Sequence, residues 1–275
     1  MPELPELEAV REVLNKRVIG KKIERVELIQ PTAALVMRDL TRGGFVESLT
    51  DAKIKTIARR GKFLLFDFDK PAQLVINPKL TGRLQLATGK DKRYKKTAVV
   101  FTFADETELR YFDDKAMGQV YLTDDTQRVP DFTRMGPEPF EITREQFRER
   151  LKPYRGEIKG VLTRGDSVAG IGNAYADEIL WHAELHPFRK RTQLTSEEIE
   201  RLYDAIQTTL RESIEIVRVE MGENIHLKPR DFFNVHMKTG EACPRCGTTI
   251  SEISAHQRIT NFCRTCQPGG LIRGM

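Results

Sequence analysis

The four cysteines of the chain, Cys243, Cys246, Cys263 and Cys266, fall into two Cys-x-x-Cys pairs with 16 residues between them. Each pair presents two thiolates from one tight turn, and two facing knuckles complete a tetrahedron. The segment that carries them must therefore fold back on itself around a common centre. A four-thiolate site has no position left for water, so the spacing predicts one structural Zn2+ ion rather than a catalytic one. The other reading, two disulfides or free thiols, requires an oxidising compartment for the disulfides. The start of the chain is acidic and amphipathic and does not read as an export signal. Zinc and a cytoplasmic location are the expectation.

With 275 residues, the chain can build two modest domains with real cores. It has no apolar run of membrane-spanning length, so no membrane partner is expected. Net charge is +5, and it is uneven: residues 1–130 hold 24 basic and 19 acidic side chains, residues 131–275 hold 21 of each. From Lys228 onward there are 7 basic and 3 acidic residues. A basic first half and a basic tail point to a polyanionic partner, although so small an excess says little alone.

From Glu3 to Val18, Leu4, Leu7, Val10, Leu14 and Val18 form one helical apolar stripe, with Gly20 as the stop. Seven runs rich in β-branched and aromatic residues follow: Ile23–Gln30, Phe45–Leu49, Phe63–Phe68, Gln73–Ile76, Thr97–Phe103, Glu108–Phe112 and Val120–Leu122. Strands at this spacing suggest a sandwich or barrel. The charged stretch 89–96 reads as a hairpin tip, solvated or in contact with phosphate. Residues 127–140 contain three prolines and a glycine and read as an interdomain linker. Helices are expected over Thr143–Leu151, Ala174–Ala183 and Ser196–Val219. The first and last open with capping boxes, Thr143 with Gln146 and Thr195 with Glu198.

Chemistry is suggested at two places. The chain begins Met1-Pro2-Glu3-Leu4-Pro5-Glu6. Removal of Met1, expected before a small residue, exposes the secondary amine of Pro2. A chain-terminal amine has a pKa of roughly 7.7–8.0, so part of it is unprotonated near neutrality and can attack an electrophilic carbon. Glu3 beside it is a plausible acid–base partner. Proline and acids in a first helical turn are also ordinary helix-start chemistry. The second place is Gly170-Ile171-Gly172-Asn173 at a helix start, either an anion cradle or a packing turn.

Taken together, the Met-Pro-Glu-Leu-Pro-Glu start, Arg59-Arg60-Gly61-Lys62-Phe63-Leu64-Leu65, Val168–Glu178, His186-Pro187 and the zinc hairpin from Arg258 to Gln267 resemble the formamidopyrimidine-DNA glycosylase/endonuclease VIII family. The resemblance is collinear over essentially the whole chain. It implies an α+β protein with an N-terminal β-sandwich flanked by helices (1–130), a linker (131–140), a helix–two-turn–helix domain (141–225) and a zinc hairpin (226–275). DNA would lie in the cleft between the domains. Pro2 would attack C1′ of a damaged nucleotide, Glu3 would serve as acid and base, and Glu6 would hold that site. Lys62, Lys159, Asn173 and Arg258 would bind the DNA backbone, and Glu178 would be a supporting residue. The implied activity is that of a bifunctional DNA-formamidopyrimidine glycosylase and DNA-(apurinic or apyrimidinic site) lyase, a base-excision-repair enzyme that excises oxidised or ring-opened bases and then carries out β,δ-elimination. The implied partner is double-stranded damaged DNA bound by a monomer, with no small-molecule cofactor, in a bacterial, nucleoid-associated setting.

The departures from the family pattern cluster where the lesion would be read. Asn77-Pro78-Lys79-Leu80-Thr81-Gly82 stands in place of a His-Leu-Gly-Met-Ser/Thr-Gly turn. Leu80 would take over as the wedge. Asp113-Asp114-Lys115-Ala116-Met117-Gly118 stands in place of Asp-x-Arg-Arg/Lys-Phe-Gly, with Lys115 and Met117 at the probing positions. Met117 can still enter a base stack. Lys115 lacks the planar fork of arginine, so the preference for the opposite base should weaken or change. Arg164 and Gly165 stand at an Asp-Gln pair, and Val219–Arg230 does not carry the family's lesion-capping pattern. The alternatives are a binder of damaged or abasic DNA with weak or no excision, and a zinc module fused to an unrelated β domain.

Overall fold

The computed structural model describes residues 1–255 and 258–269. By its internal contacts the chain divides into two units, Met1–Arg134 with Ile214–Pro229, and Met135–Ser213 with Arg230–Met275.

The first unit opens with α1 (Leu4–Arg17). Its start is set locally: Glu3 is extended, and its backbone N–H donates to the Glu6 carboxylate at 2.9 Å. Leu4, Leu7, Val10 and Leu14 are buried, as the stripe predicts, and Gly20 follows the helix with φ +79°. The nine strands of this unit are β1 (Ile23–Leu28), β2 (Met37–Asp39), β3 (Ile54–Arg60), β4 (Phe63–Phe68), β5 (Gln73–Asn77), β6 (Gly82–Thr88), β7 (Thr97–Phe103), β8 (Thr107–Asp113) and β9 (Gln119–Thr123). They form two sheets, β1-β7-β8-β6 and β2-β9-β5-β4-β3. All neighbours are antiparallel except β2 beside β9. Short helices α2 (Thr32–Val36) and α3 (Phe45–Leu49) lie between strands.

Two expectations fail here. Phe45–Leu49 is a helical turn, not a strand. Phe45 and Leu49 are four apart and both buried, and Gly44 at φ +79° starts the turn. The stretch 89–96 is not a hairpin tip. Both β6 and β7 pair antiparallel with β8, on its opposite edges, so the chain must return along the whole length of β8. A fully buried Arg110 holds this crossing. Its guanidinium donates to the carbonyls of Thr88 and Asp91 at 2.7 and 3.1 Å and to Glu108 at 2.6 Å.

The second unit contains α4 (Arg144–Leu151), α5 (Ile158–Thr163), α6 (Asn173–His182) and the first part of α7 (Ser196–Met221). Both capping boxes form: Thr143 with Gln146, and Thr195 with Glu198. A two-stranded hairpin, β10 (Ser251–Ala255) and β11 (Arg258–Phe262), completes it. The last turns of α7 belong to the first unit, where Arg218 makes a two-pronged ion pair with Glu12 at 2.7 and 2.8 Å.

Candidate active site and nucleic-acid interface

Pro2, Glu3 and Glu6 are all buried at the start of α1. Pro2 and Glu6 line a cavity of about 20 Å3, room for little more than a water molecule, together with Pro78, Tyr111, Ile225 and Leu227. Lys62 sits in the two-residue turn between β3 and β4, where Gly61 takes φ +56°. That turn is tied to α1 by an ion pair. The Arg59 Nε lies 2.7 Å from Glu8, and Arg59 also donates to the Gly61 carbonyl at 3.2 Å. Burial by itself would raise the Glu8 carboxyl. Hydrogen bonds from Arg11 and Arg59 outweigh it and hold Glu8 below the ordinary carboxylate value.

The loops bearing Leu80, Lys115 and Met117 meet at one carboxylate. Asp113 Oδ1 accepts the Thr81 hydroxyl and, at 3.3 Å, the Lys115 N–H. Its Oδ2 accepts the Gly118 N–H at 2.6 Å and the Tyr111 hydroxyl at 3.5 Å. Burial, with Asp113 adding to it, pushes the Tyr111 hydroxyl far up, so it remains a donor. Glycine is required on both sides of that hydroxyl: a Cβ at Gly82 would meet it at 2.2 Å and one at Gly118 at 1.9 Å. Above this base Leu80 is 42% and Met117 55% exposed, and Lys115 is exposed. Sequence reasoning missed this hub. The signal was present: Tyr111 and Asp113 lie two apart on one strand and share a face.

In the second unit, Gly170 at φ +84° leads into α6, which Asn173 opens. Asn173 and Lys159 converge on one atom, the Ile259 carbonyl, at 2.8 and 3.1 Å. The Lys159 ammonium also donates to Thr260 at 2.8 Å and pairs with Asp177 at 2.6 Å, so its side chain is 7% exposed. Asp177 in turn meets His236 Nδ1 at 2.8 Å. Glu178 accepts the backbone N–H groups of Asn234, Val235 and His236 at 2.8, 2.9 and 2.8 Å. The Lys159–Asp177–His236 chain was not foreseen, because its members lie 18 and 59 residues apart. The Arg258 side chain lies outside the described residues; its backbone starts β11.

The four cysteine sulfurs lie within 4.8 Å of one another. Two of the separations are 3.8 Å (Cys243–Cys266) and 3.4 Å (Cys246–Cys263). A tetrahedron with Zn–S bonds of about 2.3 Å has edges of about 3.8 Å. A disulfide needs about 2.05 Å, and all four cysteines are free of one here. Hydrogen bonds from Thr248 pull the Cys246 thiol down to about 6, while burial and the neighbouring thiols push Cys266 up to about 12. Four thiols this close cannot all ionise unaided, and a central dication relieves them. The donor set fits zinc. The module docks on α6 through Trp181, whose Nε1–H points at Cys243 Sγ 3.4 Å away, and on the turn after it through buried Gln267, which donates to the Leu185 carbonyl at 3.0 Å.

Three family models match successive parts of the chain: the formamidopyrimidine-DNA glycosylase N-terminal domain over residues 1–120, the H2TH domain of the same enzyme over 135–223, and the zinc finger found in FPG and IleRS over 240–269. The formamidopyrimidine-DNA glycosylase of Pelotomaculum thermopropionicum is 36% identical, over 97% of this chain and 99% of its own. The chain belongs to the formamidopyrimidine-DNA glycosylase family. A Bacillus cereus member is 37% identical over 98% of this chain and 99% of its own. The Lactococcus lactis enzyme, solved non-covalently bound to AP-site DNA, superimposes with a TM-score of 0.84 at 35% identity, over 97% and 100% of the two chains. MutM in complex with DNA containing carbocyclic 8-oxo-G gives 0.86 at 34% identity, over 98% and 100%.

The positions expected to depart from the family pattern are held by local contacts. Asn77 is buried and accepts the Lys79 N–H at 3.1 Å, closing the turn below Leu80. Arg164 pairs with Asp166 at 3.0 Å, and Gly165 takes φ +83°. The segment after α7 is held on the first unit by Arg83, which donates to the His226 carbonyl at 3.2 Å, and by contact of the Tyr94 and His226 rings. Among the described residues, no helix is long and apolar enough to cross a membrane.

Proposed function

We propose that the residues gathered at the start of α1 carry out the chemistry of this family. The protein is a base-excision DNA glycosylase with lyase action at abasic sites, and its substrate is damaged DNA. The Pro2 amine, exposed once Met1 is removed, attacks C1′ of the damaged nucleotide. The base leaves and an iminium forms with the opened sugar. Glu3 transfers protons at the sugar, and Glu6 fixes Glu3 through its backbone N–H. The iminium acidifies the C2′ proton, so β- and then δ-elimination follow. Lys62 holds a phosphate beside the lesion. Leu80 and Met117 fill the space vacated when the base leaves the stack, a step that costs a few kcal/mol. In the second unit, Asn173 and Arg258 grip the DNA backbone, and Lys159, expected on that backbone too, instead supports β11 from beneath through Ile259 and Thr260. The zinc ion is structural: the four thiolates hold it, and it supplies the fold of the hairpin. We place the protein in the cytoplasm, acting as a monomer without a small-molecule cofactor.

The observation that carries this reading is the convergence of Pro2, Glu3 and Glu6 in one buried helix start within a chain that matches the family along its whole length. Borohydride trapping on an abasic-site duplex tests it. The Met1-processed protein is expected to give a covalent adduct that peptide mapping places on the Pro2 nitrogen. An adduct mapped to any other residue would remove Pro2 as the nucleophile.

A further inference from the structure

The two loops that carry the exposed apolar side chains are not independent. Leu80 belongs to the β5–β6 turn and Met117 to the β8–β9 turn. Each has a non-glycine residue in the left-handed region next to its probe, Lys79 at φ 46° and Ala116 at φ 50°. Such a backbone persists only where its surroundings hold it. Here the holding group is shared. The Asp113 carboxylate takes one donor from the first loop (the Thr81 hydroxyl) and two from the second (the N–H groups of Lys115 and Gly118). Thr81 Oγ accepts the Lys115 N–H at 3.0 Å, so the loops are also bonded directly. The Tyr111 hydroxyl fills the gap between Gly82 and Gly118, one glycine from each loop. Asp113 is fully buried, and all its partners here are neutral.

We infer that Asp113 and Thr81 weld the two turns into a single two-pronged probe, so that Leu80 and Met117 enter the duplex as one body. Asp113 and Thr81 are positioning residues in this scheme: they act on DNA through Leu80 and Met117. Two prongs on separate loops would each need their own ordering on insertion. Two prongs on one base are ordered together beforehand, which lowers the cost of opening the stack. The inference rests on the wedge role of Leu80 and Met117 proposed above.

A double-mutant cycle tests it, with unfolding midpoints measured to confirm that each variant is folded. The quantity read is the single-turnover rate on a lesion duplex divided by the lyase rate on a single-stranded abasic oligonucleotide, which needs no wedge. Thr81→Val keeps the shape and deletes the hydroxyl; it is expected to lower this ratio about tenfold, a coupling in the range found for contacting residues. Leu80→Ala and Met117→Ala are expected to be far from additive in the parent protein and near additive in the Thr81→Val background. Asp113→Asn should reproduce the Thr81→Val pattern. Additive effects of Leu80→Ala and Met117→Ala in the parent would overturn the welding and leave the wedge reading standing. No effect of either alanine variant on the ratio would overturn the wedge reading itself, and the inference with it.

Discussion

Each unit of the molecule is organised around a buried aspartate, and the two are built differently. Asp113 is surrounded by neutral donors: two hydroxyls and two backbone N–H groups. Asp177 lies between the Lys159 ammonium at 2.6 Å and the His236 imidazole at 2.8 Å, with the Asn261 N–H at 3.3 Å. A ring of dipoles fixes geometry without burying a second charge. A buried ion pair instead punishes the loss of one partner, because it leaves an orphan charge. The first arrangement suits a pair of turns whose shape matters. The second suits a joint that must not open, where β11 of the zinc hairpin meets α5 and α6.

The largest test of this contrast is removal of the metal. Structural zinc contributes on the order of 10 kcal/mol to the folding of small zinc modules. Here it holds the hairpin whose Ile259 carbonyl, Thr260 hydroxyl and Asn261 N–H complete the Asp177 joint. Trp181 is the sole tryptophan and lies against Cys243, so its fluorescence reports how the zinc module sits on α6. Chelation should shift Trp181 emission and lower the unfolding midpoint of the second unit, while the Asp113 hub stays formed. A chelated protein with unchanged Trp181 emission would break the link between zinc and the joint.

The next effect in size compares the two aspartates head to head. Asp177→Asn leaves the Lys159 ammonium buried without its counter-charge, at a cost of about 3–5 kcal/mol. Asp113→Asn loses charge-assisted bonds to neutral donors, at about 1–3 kcal/mol. Urea unfolding of both variants should rank them in that order. Pairing Asp177→Leu with Lys159→Met should recover most of the first loss, since an apolar pair of similar volume removes both charges at once. Equal losses for the two single variants would mean that the distinction between dipoles and ions carries no energetic weight here.

The sequence made local features of both units legible and left the two aspartate hubs incomplete. The zinc ligands, the capping boxes at Thr143 and Thr195 and the Pro2–Glu6 start all depend on spacings of a few residues, which can be read directly. The strands with continuous apolar patterns, β4 and β7, were equally plain. Strand β3 was missed because it is an edge strand, and Ile54 and Ile57 are its only fully buried residues. Strand β6 was missed because it opens on Gly82, a residue that ordinarily ends strands, but is required there by the Tyr111 hydroxyl. In α3, five residues carry too little periodicity to separate a helical turn from a strand. The long-range partners that complete the two hubs were hidden for another reason. Thr81 and Asp113 are 32 residues apart, and Lys159 and Thr260 are 101 apart. Only the sheet order and the docking of the hairpin bring them together.

A third carboxylate, Glu8, sharpens the comparison because it is only partly buried, with 18% of its side chain exposed between Arg11 and Arg59. Its folded-state value is held below the ordinary 4.5, so its contribution to stability is fully present above that value and is lost as pH falls through the lower, folded one. Solvent screening keeps this contribution to about 1 kcal/mol or less. Glu8→Gln should therefore be slightly less stable than the parent at about pH 7, and the difference should close once the pH has fallen below the lowered folded-state value, where Glu8 is protonated in both states. Urea titrations across that range measure it. The pair also ties the Lys62 turn to α1, so the same variant should weaken binding to an abasic duplex more than it lowers the lyase rate at saturating DNA. A gap between variant and parent that widens as the pH drops would mean that Glu8 is stabilised by its neutral form, and the two arginines would then not be what holds the Lys62 turn.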